Sequence, residues 1–293
     1  MSLIPVYRRR PTPLHSARAG VGIAFCASFL AVGVLYSNPL VLGGALTGLA
    51  AAAAGAGASA ELRRAARLAV PLALLLVVVN ALVYREGATV IFRGGDVLGR
   101  RLDVTLESVA AGGVAALRVL VVAAAFALYT AAVDPDAVLR LLRRVSYRSA
   151  LTGSLATRLI PVLQRDAERM VEAARCRPVP PARGRVLLAT LGRSLDRATD
   201  VAAALEVRGY ARARPARAGR RPWSRHDARL ASLAALVVGA AVAGKVAGIG
   251  GFDPYPSLSV AHGRAELALA LGCALAGALP FAGGRARLGV ADA

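Results

Sequence analysis

The chain has 293 residues, of which 56% are hydrophobic and 18% charged, and 37 basic against 17 acidic side chains leave a net charge of +20. So apolar a composition excludes a disordered chain, and three cysteines are too few for a disulfide scaffold. A mean hydropathy of +0.55 excludes an ordinary soluble domain, and high hydropathy joined to strong positive charge points to a membrane protein with basic cytoplasmic parts.

A bilayer-spanning helix needs about 20 mostly apolar residues. Residues 19–60 carry no charge at all, which is too long for one helix. Ser37-Asn38-Pro39 interrupts the run, because Pro blocks helix continuation and Asn favours turns. Two helices are predicted, over 20–36 and 40–60, the first of them a retained span rather than a cleaved leader. Residues 68–84 form a third span. Residues 108–133 form a fourth, broken only by Arg118, and 230–252 a fifth, broken only by Lys245, the single lysine. Residues 267–284 form the sixth. The expected fold is all-α and polytopic, with about six transmembrane helices. Its regions are 1–133 with four spans, 134–229 without any, and 230–293 with two.

Arginine and lysine placement sets the orientation. With both ends on one side, that side holds 30 of the 37 basic residues and the other side 5. Long segments orient poorly, yet without 134–229 the ratio is still 9 to 5. Both termini and the basic segment are therefore expected in the cytoplasm, with a bacterial plasma membrane as the location.

Residues 134–229 carry 21 arginines and read as a helical insertion. Asp134-Pro135-Asp136 suits a helix start, and Val138, Leu139, Leu141, Leu142 and Val145 follow at helical spacing. A second helix over about 150–175 sets Leu155, Leu159, Val162, Leu163, Met170 and Val171 near one face. Pro178, Pro180 and Pro181 break the chain. A third helix over about 184–208 carries an apolar stripe of Leu187, Leu188, Leu191, Leu195, Ala198, Val201, Ala202 and Leu205. Gly209 stands at the usual cap position, and residues 211–222 form a basic link.

The two longer helices end alike. One closes Glu172-Ala173-Ala174-Arg175-Cys176, the other Leu205-Glu206-Val207-Arg208-Gly209-Tyr210. Ordinary helix termination accounts for both on chemistry alone, since Arg suits the negative helix end and Gly the cap.

At these residues the sequence resembles the transmembrane T component of energy-coupling factor (ECF) transporters, the EcfT/CbiQ family, whose two cytoplasmic coupling helices each end in an Ala-Arg-Gly-like signature. Ala203-Ala204-Leu205-Glu206-Val207-Arg208-Gly209-Tyr210 is close to that ending, and Arg193-Ser194-Leu195-Asp196-Arg197-Ala198 before it also fits. The first signature keeps Ala174-Arg175 but has Cys176 where Gly is usual; were positive φ needed there, Cys would carry a steric penalty. Asn38-Pro39, Thr105-Leu106-Glu107-Ser108 and Pro161 extend the likeness over most of the chain.

The resemblance implies a non-catalytic scaffold with no cofactor. It bridges two ATP-binding-cassette ATPases, which hydrolyse the ATP, to a membrane-embedded substrate-binding S component that takes up a vitamin or transition-metal ion such as cobalt. It assigns ATPase docking to Arg175 and Arg208, with Ala174, Cys176, Val207 and Gly209 as packing neighbours. The arginine fork suits such an end because it pairs with carboxylates and carbonyls. The alternatives are a stand-alone permease with a basic cytoplasmic regulatory domain, and a membrane enzyme whose arginines bind phosphate or headgroups.

Other signals are weaker. Gly239 to Lys245 has phosphate-loop spacing, but Val246 replaces the hydroxyl residue that would meet Mg²⁺. Arg118 is either a functional intramembrane charge or a side chain snorkelling from the fourth span. His15, His226 and His262, and Cys26, Cys176 and Cys273, are too scattered to suggest a metal site. Gly44 with Gly48 and Gly244 with Gly248 mark close helix packing or a smooth surface along which a partner slides. The basic segment also attracts acidic headgroups of the bilayer. No nucleic-acid module is visible, and aromatics are few.

Overall fold

The computed structural model describes residues 10–83, 90–97, 100–142, 146–178, 183–209, 222–253, 259–260 and 263–282. In chain order the elements are α1 (Pro13–Ser16), α2 (Ala19–Leu35), α3 (Pro39–Gly55), α4 (Ser59–Val83), β1 (Val90–Val97), β2 (Arg100–Thr105), α5 (Leu106–Ala132), α6 (Pro135–Leu142), α7 (Tyr147–Arg175), α8 (Arg183–Val207), α9 (Arg225–Val246), β3 (Phe252–Asp253), β4 (Ser259–Val260) and α10 (Arg264–Ala278), which ends in a 3₁₀ turn, Leu279–Phe281. The architecture is that of an α-helical polytopic membrane protein. Four helices, α4, α5, α9 and α10 with its 3₁₀ turn, are long and apolar enough to cross a membrane. Two more, α2 and α3, are apolar and 17 residues each, about 26 Å at 1.5 Å per residue and so at the short end of the spanning range.

The elements deviate from the sequence reading in several places, and the fifth span, expected over 230–252, is the helix Arg225–Val246. The third span begins at Ser59 and runs through Pro71 without a break; membrane helices tolerate such a proline. Between the third and fourth spans the chain forms an antiparallel ribbon that pairs Val90 with Thr105 and Val97 with Arg100, in keeping with its Val, Ile, Phe and Thr content. A smaller ladder pairs Phe252 with Val260.

The chain divides into two compact units, the first of residues 1–135 and 222–293 and the second of Asp136–Arg221. In the first, α2 packs on α5 and α9, α3 on α5 and α10, and α4 on α5. Burying apolar area gains little between helices that already lie in lipid, so close approach of small residues must hold them together. A Cβ on Gly48 would overlap the Cys273 carbonyl, and one on Gly277 the Gly48 carbonyl. Gly44 lies as close to the Ala270 backbone, and Gly112 would set a Cβ 2.9 Å from Val77 Cα. Larger side chains fill the space between: Phe25 and Phe29 meet edge-to-face at 5.4 Å, and both are fully buried with Val32, Tyr36, Leu42, Leu49, Leu128 and Leu230.

Helix starts are capped by the residues the sequence offers. Asn38 accepts from Leu40 N–H at 2.9 Å, with Pro39 at the first helical position of α3. Thr105 Oγ1 accepts from Ser108 N–H at the start of α5, and Thr105, Glu107 and Ser108 are buried. Ser224 and Asp227 form a reciprocal capping box on α9.

The second unit is built differently. Among its described residues none is buried. On α7, Leu155, Leu159, Val162, Leu163, Met170 and Ala174 form one half-buried stripe. Helices α7 and α8 touch, and Arg197 Nη1 pairs with Asp166 Oδ2 at 3.2 Å. Half-buried with Arg197 on one side of α8 are Val186, Thr190, Ser194, Val201 and Leu205.

Candidate functional site

The paired helix ends lie at the C-termini of α7 and α8. Arg175 is the last residue of α7 and is exposed, Ala174 is half-buried, and Cys176 is the exposed C-cap. Cys176 has φ −76° and ψ −6°, and its N–H donates to Glu172 O at 3.2 Å. That is ordinary right-handed backbone, which Cys adopts without the penalty that positive φ would bring.

The α8 end is shaped otherwise. Val207 closes the helix with 89% of its surface exposed. Arg208 N–H donates to Ala204 O at 3.2 Å and Gly209 N–H to Glu206 O at 2.9 Å. Gly209 has φ +71°, the left-handed cap conformation that glycine adopts at least cost. Arg208 and Gly209 are both exposed. The two ends thus share an exposed arginine one helical turn or less from a cap but differ in how the backbone leaves the helix. From the Arg197–Asp166 pair to Arg175 and Arg208 is nine and eleven residues, or about 13 and 16 Å along the two helices. The arginines therefore project well beyond the point where the helices are tied.

The α8 stripe expected from sequence divides into two faces. Val201 and Leu205 are half-buried on the Arg197 side, whereas Leu187, Leu188, Leu191 and Leu195 are 62%, 69%, 50% and 66% exposed. The amphipathic helix thus leaves four leucines in the open, an apolar surface without cover among the described residues.

Arg118 lies midway along α5 and has a partner the sequence did not reveal. Its Nη2 donates to Tyr36 O at 3.2 Å and Ser37 Oγ at 3.1 Å. Tyr36 is the C-cap of α2, so the guanidinium meets the negative end of a neighbouring helix. Tyr36 in turn donates its hydroxyl to Ala241 O at 2.8 Å, which links α2 to α9. Arg118 Nε is buried and has no hydrogen-bond partner among the described residues.

Gly239 to Lys245 is continuous helix within α9, not a phosphate-binding loop. Gly44 and Gly48 are occupied by close packing on α10, and Gly244 packs against Tyr36 and Leu269, whereas Gly248 is a turn residue at φ +73°. Cys26 and Cys273 are buried and Cys176 is exposed, all as free thiols. His226 is half-buried, and His262 lies outside the described residues, as does Tyr210. Among the described residues no group of three or more His, Cys, Asp and Glu is placed to hold a metal ion.

One cluster escaped the sequence reading. Arg18, Trp223 and Asp227 gather where α2 and α9 begin, and His15, three residues before Arg18, lies against the end of α5. Asp227 is 1% exposed and accepts from Arg18 N–H at 2.7 Å and Ser224 N–H at 3.0 Å. The pattern Ser224-x-x-Asp227 ahead of an apolar run was the available signal.

A multi-spanning helical bundle interrupted by a basic two-helix unit with protruding arginine ends belongs to the class of membrane transport components. The chain matches the CbiQ family, described as cobalt transport protein, over residues 11–217, more than two-thirds of its length, and it belongs to that family. No curated protein matches it in sequence.

Proposed function

We propose that the chain is the T component of an ECF-type importer, a multi-spanning subunit that carries ATPase movement to a membrane-embedded S component. The observation that carries this reading is the pair of exposed arginine ends on helices tied together by Arg197 and Asp166. Arg175 and Arg208 each enter a groove on one of two ATP-binding-cassette subunits, with Ala174, Cys176, Val207 and Gly209 packing around them. Their different backbone exits suit two ATPase surfaces that need not be identical. The open leucines of α8 receive the S component, which selects the substrate. Both termini and the basic unit face the cytoplasm of a bacterial cell. The chain itself catalyses nothing; ATP is hydrolysed in the partners. The family's description makes cobalt the first cargo to assay, ahead of other transition-metal ions and vitamins.

The test is detergent capture from native membranes. Wild type is expected to retain ATPases, and Arg175→Ala/Arg208→Ala to lose them. Arginine anchors at interface centres are worth about 2 kcal/mol each, on the order of 30-fold in affinity. Cys176 supplies a second readout, because it is the exposed thiol and Cys26 and Cys273 are buried. Bound ATPase should shield it from maleimide. Capture of no ATPase by folded wild type would leave a stand-alone permease as the better reading.

A further inference from the structure

The second unit is inserted between Pro135 and Pro222, so two necks join it to the first, one leaving α5 and one entering α9. Residues 10–18 hold both. At the first neck, buried His15 places Nε2 3.2 Å from Ala131 O. A carbonyl only accepts, so Nε2 carries the proton, and neutral Nδ1 accepts from Thr12 Oγ1 at 2.7 Å. Ala131 O is among the last carbonyls of α5, which no intrahelical N–H can reach.

At the second neck, Arg18 caps α2 and donates its N–H to Asp227 Oδ1. Asp227 Oδ2 accepts from Ser224 N–H, and the Arg18 Nε lies 3.8 Å from the same oxygen. The Arg18 guanidinium sits over Trp223 at 5.4 Å. One buried carboxylate thus serves the positive ends of two helices, α2 and α9. The segment is itself anchored: Arg10 donates to Gly57 O in the turn between α3 and α4 and pairs with Glu61 in the first turn of α4 at 3.3 Å. The segment thus makes a neutral hydrogen bond to the first neck and a charge-assisted one, through the Asp227 carboxylate, to the second.

We propose that residues 10–18 are a clasp that fixes both necks of the inserted unit, and that coupling requires it. This rests on the coupling reading above. With the necks fixed, displacement of α7 and α8 is passed to α5 and, through Arg18, to α2. With them free, the same displacement is absorbed where the chain enters and leaves the bundle. His15 and Asp227 are positioning residues; neither touches ATPase or cargo.

The test uses the full chain, alone and in its transporter complex. Hydrogen exchange on the chain alone should rise for residues 131–136 in His15→Ala and for 222–228 in Asp227→Ala, with α10 unchanged. In proteoliposomes both variants should keep their ATPases, and uptake per ATP hydrolysed should fall at least tenfold. Should Asp227→Ala not fold, Trp223→Ala removes only an exposed ring and is read the same way. Unchanged exchange at both necks overturns the clasp, and so does altered exchange with unchanged uptake per ATP. Wild type that retains no ATPase refutes the coupling reading instead, and the exchange measurement still decides whether the clasp exists.

Discussion

Leu42, Leu49, Leu128 and Leu230 of the first unit are fully buried, whereas Leu187, Leu188, Leu191 and Leu195 of the second are half or more exposed. The two sets are alike in chemistry and opposite in placement. The first unit closes its own interior, with small residues bringing helix backbones together and long ones filling what remains. The second has a tie between α7 and α8 and a half-buried stripe on each, but no interior among its described residues. A unit built this way leaves most of its apolar side chains outside any core of its own. Substitutions should therefore act on stability in the first unit and on assembly in the second.

The largest effect on stability is expected at the α3–α10 contact. Gly277→Leu and Gly48→Leu would each drive a side chain into facing backbone, a cost of about 3 kcal/mol. Detergent melting and yield of folded protein measure it. The comparison is Gly192→Ala on α8, where a Cβ meets nothing and the gain in helix propensity is up to about 1 kcal/mol. Equal loss at Gly192 and Gly277 would erase the distinction between the units.

Arg118→Ala comes next. It removes donors from Tyr36 O and Ser37 Oγ and leaves the end of α2 uncapped, at about 1–3 kcal/mol. Loss of melting temperature with ATPase capture intact fits the capping role. Loss of uptake at unchanged stability would return Arg118 to a functional one.

His15 gives a smaller, pH-dependent effect. Burial lowers its pKa from 6.5, with the Arg10 charge acting the same way, while the bond to Ala131 and the Glu61 charge oppose. The unfolded chain binds the proton near pH 6.5 and the folded chain only lower, so stability falls as pH drops through about 6.5 and levels off below the folded pKa. Above that range the group contributes no slope. Melting between pH 8 and 5 should show wild type losing stability toward acid more steeply than His15→Gln.

Much of this arrangement was legible in the residues. Asn38-Pro39 is a local signal whose physics is complete within four residues, and the structure uses it as a cap; Ser224-x-x-Asp227 is as local, but its pattern was passed over. The helix ends at Arg175 and Arg208 could be located for the same reason. What could not be read was anything that depends on a partner element. Arg118 stands alone in an apolar run, and nothing in that run points to Tyr36, whose carbonyl becomes its acceptor only when α2 stops level with it. His15 stood as one of three scattered histidines until α5 ended beside it. The α8 stripe was legible as apolar, but not that Val201 and Leu205 face one way and Leu187 to Leu195 another, because periodicity identifies a stripe and not what covers it.

The smallest expected effect on folding is at that open stripe, and it tests the comparison most directly. Leu188→Ser and Leu195→Ser alter side chains that are 69% and 66% exposed, so the isolated chain should melt within about 0.5 kcal/mol of wild type. The same double variant should lose the S component while keeping its ATPases, since Arg175 and Arg208 are untouched. A core leucine treated likewise, Leu49→Ser, should lower melting before any partner is added. If the stripe variant instead unfolded the chain alone, the leucines would be holding the second unit together rather than waiting for a partner, and the division of labour between the two units would fail.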